Sequence, residues 1–215
     1  KIDGISASLT YKNKQLVYGV SRGDGLIGEV ITDNLKTIKD IPKQINVPNF
    51  PNEIEIRGEV FIKKGDFLKI KNEFANPRNA ASGTLRQKDP NETKKIPLKF
   101  IAYTFGFIQN NPFKFQSEFL KELKKWGFKT NKHNKILPNI KQLIDFHKRI
   151  EENRFDIDYD IDGLVYKVDD LNLQNRLGFT SSAPRWAIAH KFSADSAITK
   201  IKNIEIQVGR TGALT

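Results

Sequence analysis

The 215-residue chain has no cysteine, no methionine and only three histidines, which lie far apart. Without cysteine there is no disulfide and no thiolate zinc site, and scattered histidines argue against a histidine metal cluster. Any metal is therefore expected to be hard and oxygen-bound, magnesium first. Long apolar runs are also lacking: none approaches the ~20 residues a bilayer-spanning helix needs, and no signal-peptide pattern opens the chain. These absences predict a cytoplasmic protein with no membrane partner. Lacking an initiator methionine, the chain reads as a fragment or a processed product. No internal repeat or low-complexity tract organises it, so function has to be read from sites.

Positive charge is what the chain has in excess. Lysine and arginine number 36 against 25 aspartate and glutamate, a formal net charge of +11. That balance favours an anionic partner, nucleic acid being the commonest. The length suits one large domain, or one domain with a short extension.

Periodicity gives a coarse map. Residues 5–11 alternate, with Ile5, Ala7, Leu9 and Tyr11 on one face, and residues 15–21 continue through Leu16, Tyr18 and Val20 after a Lys12-Asn13-Lys14 turn, predicting a hairpin. A second alternating strand is expected over residues 54–62, where Glu55, Arg57 and Glu59 share a face. Gly58 there is read as bare backbone that a ligand could approach. A helix is predicted over residues 64–74 with Asp66 as its cap, and another from near Asn79 after a Pro77 turn. Further strands are expected over residues 98–107, 160–167 and 186–192. Amphipathic helices are expected over 117–126, stopped by Gly127, and over 139–153, with Ile140, Leu143, Ile144, His147 and Ile150 on one face. His147 is read as a satisfied core histidine.

Chemistry concentrates at a few points. Lys1-Ile2-Asp3-Gly4 sets an amine beside a carboxylate and a glycine at a strand's start. A lysine attacks phosphorus only when unprotonated, and its ordinary pKa of about 10.4 has to be lowered by cations or burial. Arg22, Lys167 and Lys191 are the cations available. Arg22 lies in Arg22-Gly23-Asp24-Gly25, whose glycines allow a tight turn. The stretch from Phe74 to Gln87 holds Arg78 and Arg86 eight positions apart among small residues, so both guanidiniums could face one polyanion. Lys167 shares a strand face with Gly163 and Val165. Ala187 and Ala189 precede Lys191 on one face and leave an open floor for a flat ligand. Strand-end lysines that snorkel into water are the bland alternative for either one.

Taken together these stretches closely resemble the adenylation domain of bacterial NAD-dependent DNA ligases, across essentially the whole chain. Lys1-Ile2-Asp3-Gly4 is similar to that family's nucleophile motif, and Arg57-Gly58-Glu59-Val60 to its acidic motif. Arg22-Gly23-Asp24-Gly25 and residues 74–87 resemble stretches particular to the NAD-dependent branch. Asp162-Gly163, Lys167 and Lys191 resemble the rest of its nucleotide pocket. The resemblance implies an α+β nucleotidyltransferase (adenylation) fold of antiparallel sheets flanked by helices, ATP-grasp-like. It implies an adenylation domain over residues 1–205, lacking its first strand residues and a domain that binds nicotinamide mononucleotide, with residues 206–215 opening an OB-fold. It also implies NAD and magnesium as cofactors, nicked double-stranded DNA as partner, and a monomer. Zinc is expected only in a part of such a protein absent here.

Roles follow from the same resemblance. Lys1 would attack the adenylyl phosphorus of NAD, with Asp3 in the same catalytic motif, and Glu59 would bind the ribose. Arg22, Lys167 and Lys191 would act on the nucleotide and its phosphate. Arg78 and Arg86 would meet nucleic acid or the leaving group, and Glu59 or, more weakly, Asp162 would serve a metal. The nearest alternative is an ATP-dependent ligase or a capping-type nucleotidyltransferase, against which the Arg22 and Arg78-to-Arg86 stretches argue. From another class, the chain could be a basic nucleic-acid-binding fragment without catalysis.

Overall fold

In strand β1 (Ile5–Lys12), side chains of alternate residues enter the core: Ala7, Leu9 and Tyr11 are buried. The described residues of this computed structural model are 1–23, 28–181, 183–194 and 198–214. The Asp24-Gly25 half of the glycine-rich stretch lies outside them. Strands β2 (Gln15–Ser21), β3 (Glu53–Phe61) and β4 (Lys99–Ile108) complete an antiparallel sheet of order β2-β1-β3-β4. A second, two-stranded antiparallel sheet joins β5 (Gly163–Lys167) to β6 (Ala187–Lys191). The bridge between Ile2 and Ile161 links the start of the chain to the approach to β5. Mixed α+β architecture with antiparallel sheets is as the sequence predicts.

Helices cover the sheet. Single turns α1 (Thr32–Leu35) and α2 (Lys64–Phe67) precede α3 (Pro77–Leu85), α4 (Pro90–Lys95), α5 (Gln116–Lys125), α6 (Ile140–Glu152) and α7 (Leu171–Leu177). One core lies on the β1–β3–β4 face that carries Leu9, Ile54, Ile56, Val60 and Phe100, closed by Ala81 and Leu85 of α3 and Phe119 and Leu123 of α5. A smaller core on the other side gathers Phe61, Ile101, Phe146, Ile150, Tyr159 and Phe192, and packs α6 beneath the second sheet. No helix among the described residues is long and apolar enough to cross a membrane.

Several expectations are corrected. In β2, Leu16 is buried but Tyr18 is 56 % exposed and Gly19 turns inward instead. A register shift pairs Tyr11 with Leu16 and Thr10 with Tyr18, which leaves Val17 as an extra residue and flips every side chain after it. The helix expected over 64–74 is only the single turn α2, capped by no side chain, and Asp66 sits in that turn. The last helix before β5 docks through Phe146, His147 and Ile150, while Ile140 and Ile144 stay exposed at 73 % and 43 %. Its first turn lies beyond the core that holds its second half.

Gly58 faces inward, not toward a ligand. A Cβ there would lie 2.2 Å from the Phe100 ring and 2.6 Å from the Ile101 carbonyl oxygen, so the glycine admits Phe100 to the core. Helix α3 begins at Pro77, two residues earlier than expected. Asn76 Oδ1 accepts from Asn79 N at 2.8 Å, and proline at the first helical position needs no partner for a missing N–H.

Candidate functional site

The side of the sheet opposite the main core carries a polar row. Register pairs Ser6 with Glu59 and Ser8 with Arg57 across β1 and β3. Arg57 Nε donates to Glu55 Oε1 at 2.7 Å and Ser8 Oγ donates to the same carboxylate. Burial pushes the Glu55 carboxyl up, but these bonds outweigh it and hold it below the usual carboxylate range. Glu55 and Arg57 are thus the solvated ladder that their alternating charge suggests. Tyr103 falls where β3 and β4 change register, and its hydroxyl lies 2.9 Å from Ser6 Oγ.

Beyond that ladder the row opens into a cavity of about 340 Å³. Lys1, Arg22, Glu59, Arg78 and Arg86 all line it, so one space brings together five residues singled out from four separate stretches. Glu59 enters from β3, the two arginines from the two ends of α3, and Arg22 from the end of β2. Tyr103, Ser82 and Glu29 line it too, and sequence reasoning missed all three. For Tyr103 a signal existed: an aromatic at the alternate position to Ile101 on a strand facing the polar row.

Carboxylates meet the cations one by one. Lys1 Nζ donates to Asp162 Oδ2. Arg78 Nη1 donates to Asp3 Oδ1 at 3.1 Å, and Arg86 Nε to Glu29 Oε2 at 3.0 Å. The cations expected around the Lys1 amine are therefore not its immediate neighbours; an acid is. Arg22 is on the same cavity wall, while Lys167 Nζ reaches the Tyr103 carbonyl oxygen at 3.4 Å and lies 5.0 Å from the centre of that ring. Desolvation lowers Lys167 to about 8. Lys191 is exposed on β6, outside the cavity lining, and pairs in register with Gly163.

Close backbone approach holds the parts together. Gly4 lets the chain pass against β3, for a Cβ would lie 2.3 Å from the Val60 carbonyl oxygen and 2.9 Å from Glu59 Cγ. The Lys1 α-amine donates to the Gly163 carbonyl at 2.6 Å, and Asp162 N donates to the Lys1 carbonyl at 3.0 Å. Burial raises Glu59 to about 7, although Arg78 and Lys1 pull it down.

Among the described residues no group of three or more His, Asp or Glu side chains is gathered for a metal ion. Magnesium often uses one or two carboxylates and takes its remaining ligands from phosphate and water. Asp162 Oδ1 is buried without a hydrogen-bond partner and Glu59 lines the cavity, so each offers a carboxylate oxygen of the kind such an ion uses.

A lysine paired to an acid, three arginines and a half-neutralised carboxyl around one cleft define an α+β domain with a cation-lined site. Comparison with known families narrows that class: the model of the NAD-dependent DNA ligase adenylation domain matches residues 1–195, and the chain belongs to this family. It is 64 % identical over 215 residues to a DNA ligase of Pelagibacter ubique (strain HTCC1062), covering 100 % of this chain and 32 % of that protein. DNA ligases of Bradyrhizobium sp. (strain ORS 278) and Parvibaculum lavamentivorans are 50 % and 51 % identical over 223 residues, each covering 100 % of this chain and 31 % of the relative. The chain thus spans about a third of the length of the curated relatives it matches.

Proposed function

We propose that the chain is the adenylyl-transfer core of an NAD-dependent DNA ligase with a nucleotidyltransferase, ATP-grasp-like fold. Lys1 Nζ attacks the adenylyl phosphorus of NAD; a nitrogen–phosphorus bond forms, the pyrophosphate bond to nicotinamide mononucleotide breaks, and lysyl-AMP remains. The AMP then passes to the 5′-phosphate of a nicked duplex, and the neighbouring 3′-hydroxyl displaces it to seal the strand. What supports this reading above all is the convergence of Lys1, Arg22, Glu59, Arg78 and Arg86 on one cavity.

Each group has a physical task. The Lys1 ammonium rests on Asp162 and must leave it, and lose a proton, before attack. Glu59, near neutrality by burial, can both accept and donate a hydrogen bond to a ribose hydroxyl. Arg22, Lys167 and Lys191 oppose charge that grows on phosphorus oxygens, and in-line orientation does most of the rest. Magnesium, when held by Glu59 and Asp162, supplies further positive charge at phosphate. Arg78 and Arg86 meet the leaving group or the DNA, and in doing so exchange Asp3 and Glu29 for phosphate.

The reading extends to an adenylation domain over residues 1–205, a following OB-fold that residues 206–215 open, and a monomer in the bacterial cytoplasm. The test is labelling of the protein by NAD or ATP, read by mass spectrometry as an added AMP in the full-length chain. NAD alone should label. Labelling by ATP would favour an ATP-dependent ligase or capping-type enzyme, and labelling by neither a DNA-binding fragment without catalysis.

A further inference from the structure

Lys191 is exposed, yet the residues on either side of it are tightly held. His147, buried on α6, stacks its ring on His190 with centroids 3.7 Å apart and planes 17° from parallel. The same ring meets Phe192 at 5.1 Å. One turn further along α6, Glu151 Oε1 accepts from Ser193 N at 2.7 Å. Arg154, just past the helix, lies over the Phe192 ring at 5.9 Å and donates to the Ser193 carbonyl at 3.4 Å. From β5, the Tyr166 hydroxyl lies 2.9 Å from His190 Nδ1.

Strand alternation turns this grip into a placement. His190 and Phe192 point to α6, so Lys191 between them projects from the other face of β6. There it stands opposite Gly163, whose carbonyl receives the Lys1 α-amine. A Cβ on Gly163 would lie 2.3 Å from the His190 carbonyl oxygen and 2.7 Å from Lys191 Cα, so no side chain fits between the strands there. Any turn of His190 away from α6 therefore moves Lys191 relative to Lys1.

The imidazole is a poor choice for packing alone. His147 Nε2 is buried without a hydrogen-bond partner and Nδ1 is 3.8 Å from Glu151, so one polar atom goes unsatisfied where a phenyl ring would leave none. The flat ring is what the contact with His190 uses. We propose that His147 is a positioning residue for Lys191: by stacking on His190 it clamps β6 to α6 and fixes where Lys191 stands on the other face of β6, opposite Gly163. The inference rests on the reading of Lys191 as a phosphate-binding group.

Two measurements on the full-length chain test it. In the first, backbone amide hydrogen exchange across β6 is followed by mass spectrometry in the wild type, His147→Ala and His147→Phe. Exchange should quicken severalfold in the alanine variant and stay at the wild-type rate in the phenylalanine variant. Unchanged exchange in His147→Ala, or equal acceleration in both variants, overturns the clamp whatever Lys191 does in catalysis. In the second, single-turnover adenylation at saturating NAD should slow about 10- to 100-fold in His147→Ala, as loss of orientation does, and recover in His147→Phe. In a Lys191→Ala background the His147→Ala change should add nothing. Independent, multiplying effects overturn the coupling. Wild-type adenylation in Lys191→Ala, with exchange altered as expected, instead overturns the reading of Lys191 on which the inference rests.

Discussion

Lys1 and Asp162 are 161 positions apart and joined side chain to side chain, Nζ to Oδ2. Backbone bonds flank the pair on both sides: Asp3 N to the Asp160 carbonyl at 2.9 Å and Asp162 N to the Lys1 carbonyl at 3.0 Å. The candidate nucleophile is thus positioned by the approach to β5, not by its own strand alone. An ion pair of this kind, a third exposed on each side, is weak enough to exchange when phosphate arrives.

The same pairing decides which amine reacts. The Lys1 main-chain nitrogen donates to the Gly163 carbonyl oxygen at 2.6 Å, whereas the Lys1 side chain is about a third exposed. AMP is therefore expected on Nε. Peptide mapping of labelled protein checks this, and label surviving in Lys1→Ala would remove Lys1 from the site.

Glu59 should make stability depend on pH in a set direction. Its carboxyl titrates near 7 when folded and near 4.5 when unfolded. A raised value contributes stability that is complete below pH 4.5 and lost as pH rises through 7. Relative to Glu59→Gln, which cannot ionise, the wild type should lose on the order of 1 to 3 kcal/mol between pH 4.5 and 8. Urea midpoints of both proteins at pH 4.5 and 8 measure the difference; parallel shifts would mean that Glu59 ionises normally.

Much of this was legible because a strand with one polar face advertises its period. Ala7, Leu9 and Tyr11 are buried where alternation put them, and the polar row of Glu55, Arg57 and Glu59 lies together as expected. What failed depended on partners. The β2 bulge follows from pairing with β1, and Gly58 looks alike in sequence whether it faces a ligand or Phe100. Likewise the pairs Arg78–Asp3 and Arg86–Glu29 span 75 and 57 positions, and no local spacing announces them.

Gly4 is expected to tolerate no side chain. Alanine would drive a Cβ to 2.3 Å from the Val60 carbonyl, which is backbone and cannot swing aside. Gly4→Ala should cost about 1 to 3 kcal/mol through overpacking, and should slow adenylation by moving Lys1 from Glu59. Chemical denaturation and single-turnover rates read the two effects separately. An unchanged rate with reduced stability would confine Gly4 to packing.

Arg78 and Arg86 should differ from Lys191 in what they affect. In the full-length chain, Lys191→Ala should slow adenylyl transfer even when NAD is saturating. Arg86→Ala should weaken binding to nicked duplex and flatten its salt dependence by about one unit of log–log slope for each phosphate that the guanidinium neutralises. Arg86 already holds Glu29, so part of its hold on DNA must be gained by giving up that ion pair. Slopes unchanged in both arginine variants would mean that neither meets phosphate.

The 215 residues alone should use NAD poorly although five candidate groups line one cavity. Attack by Lys1 needs nicotinamide mononucleotide held opposite the incoming amine, and the chain spans only about a third of its curated relatives' length. Orientation contributes ~7 to 11 kcal/mol in well-aligned reactions, so losing even a fraction of it slows the step by orders of magnitude. Lys1 is tied to Asp162, Arg78 to Asp3 and Arg86 to Glu29, so none of these three cations can fix a departing phosphate without first giving up an ion pair within this same chain. Extending the chain at its N-terminus with the sequence that precedes it in a full-length relative should restore rapid lysyl-AMP formation. A time course of protein-AMP at equal NAD, with and without the extension, measures this. Equal rates would show that the cavity orients the leaving group by itself, through Arg22 or the two arginines of the α3 region.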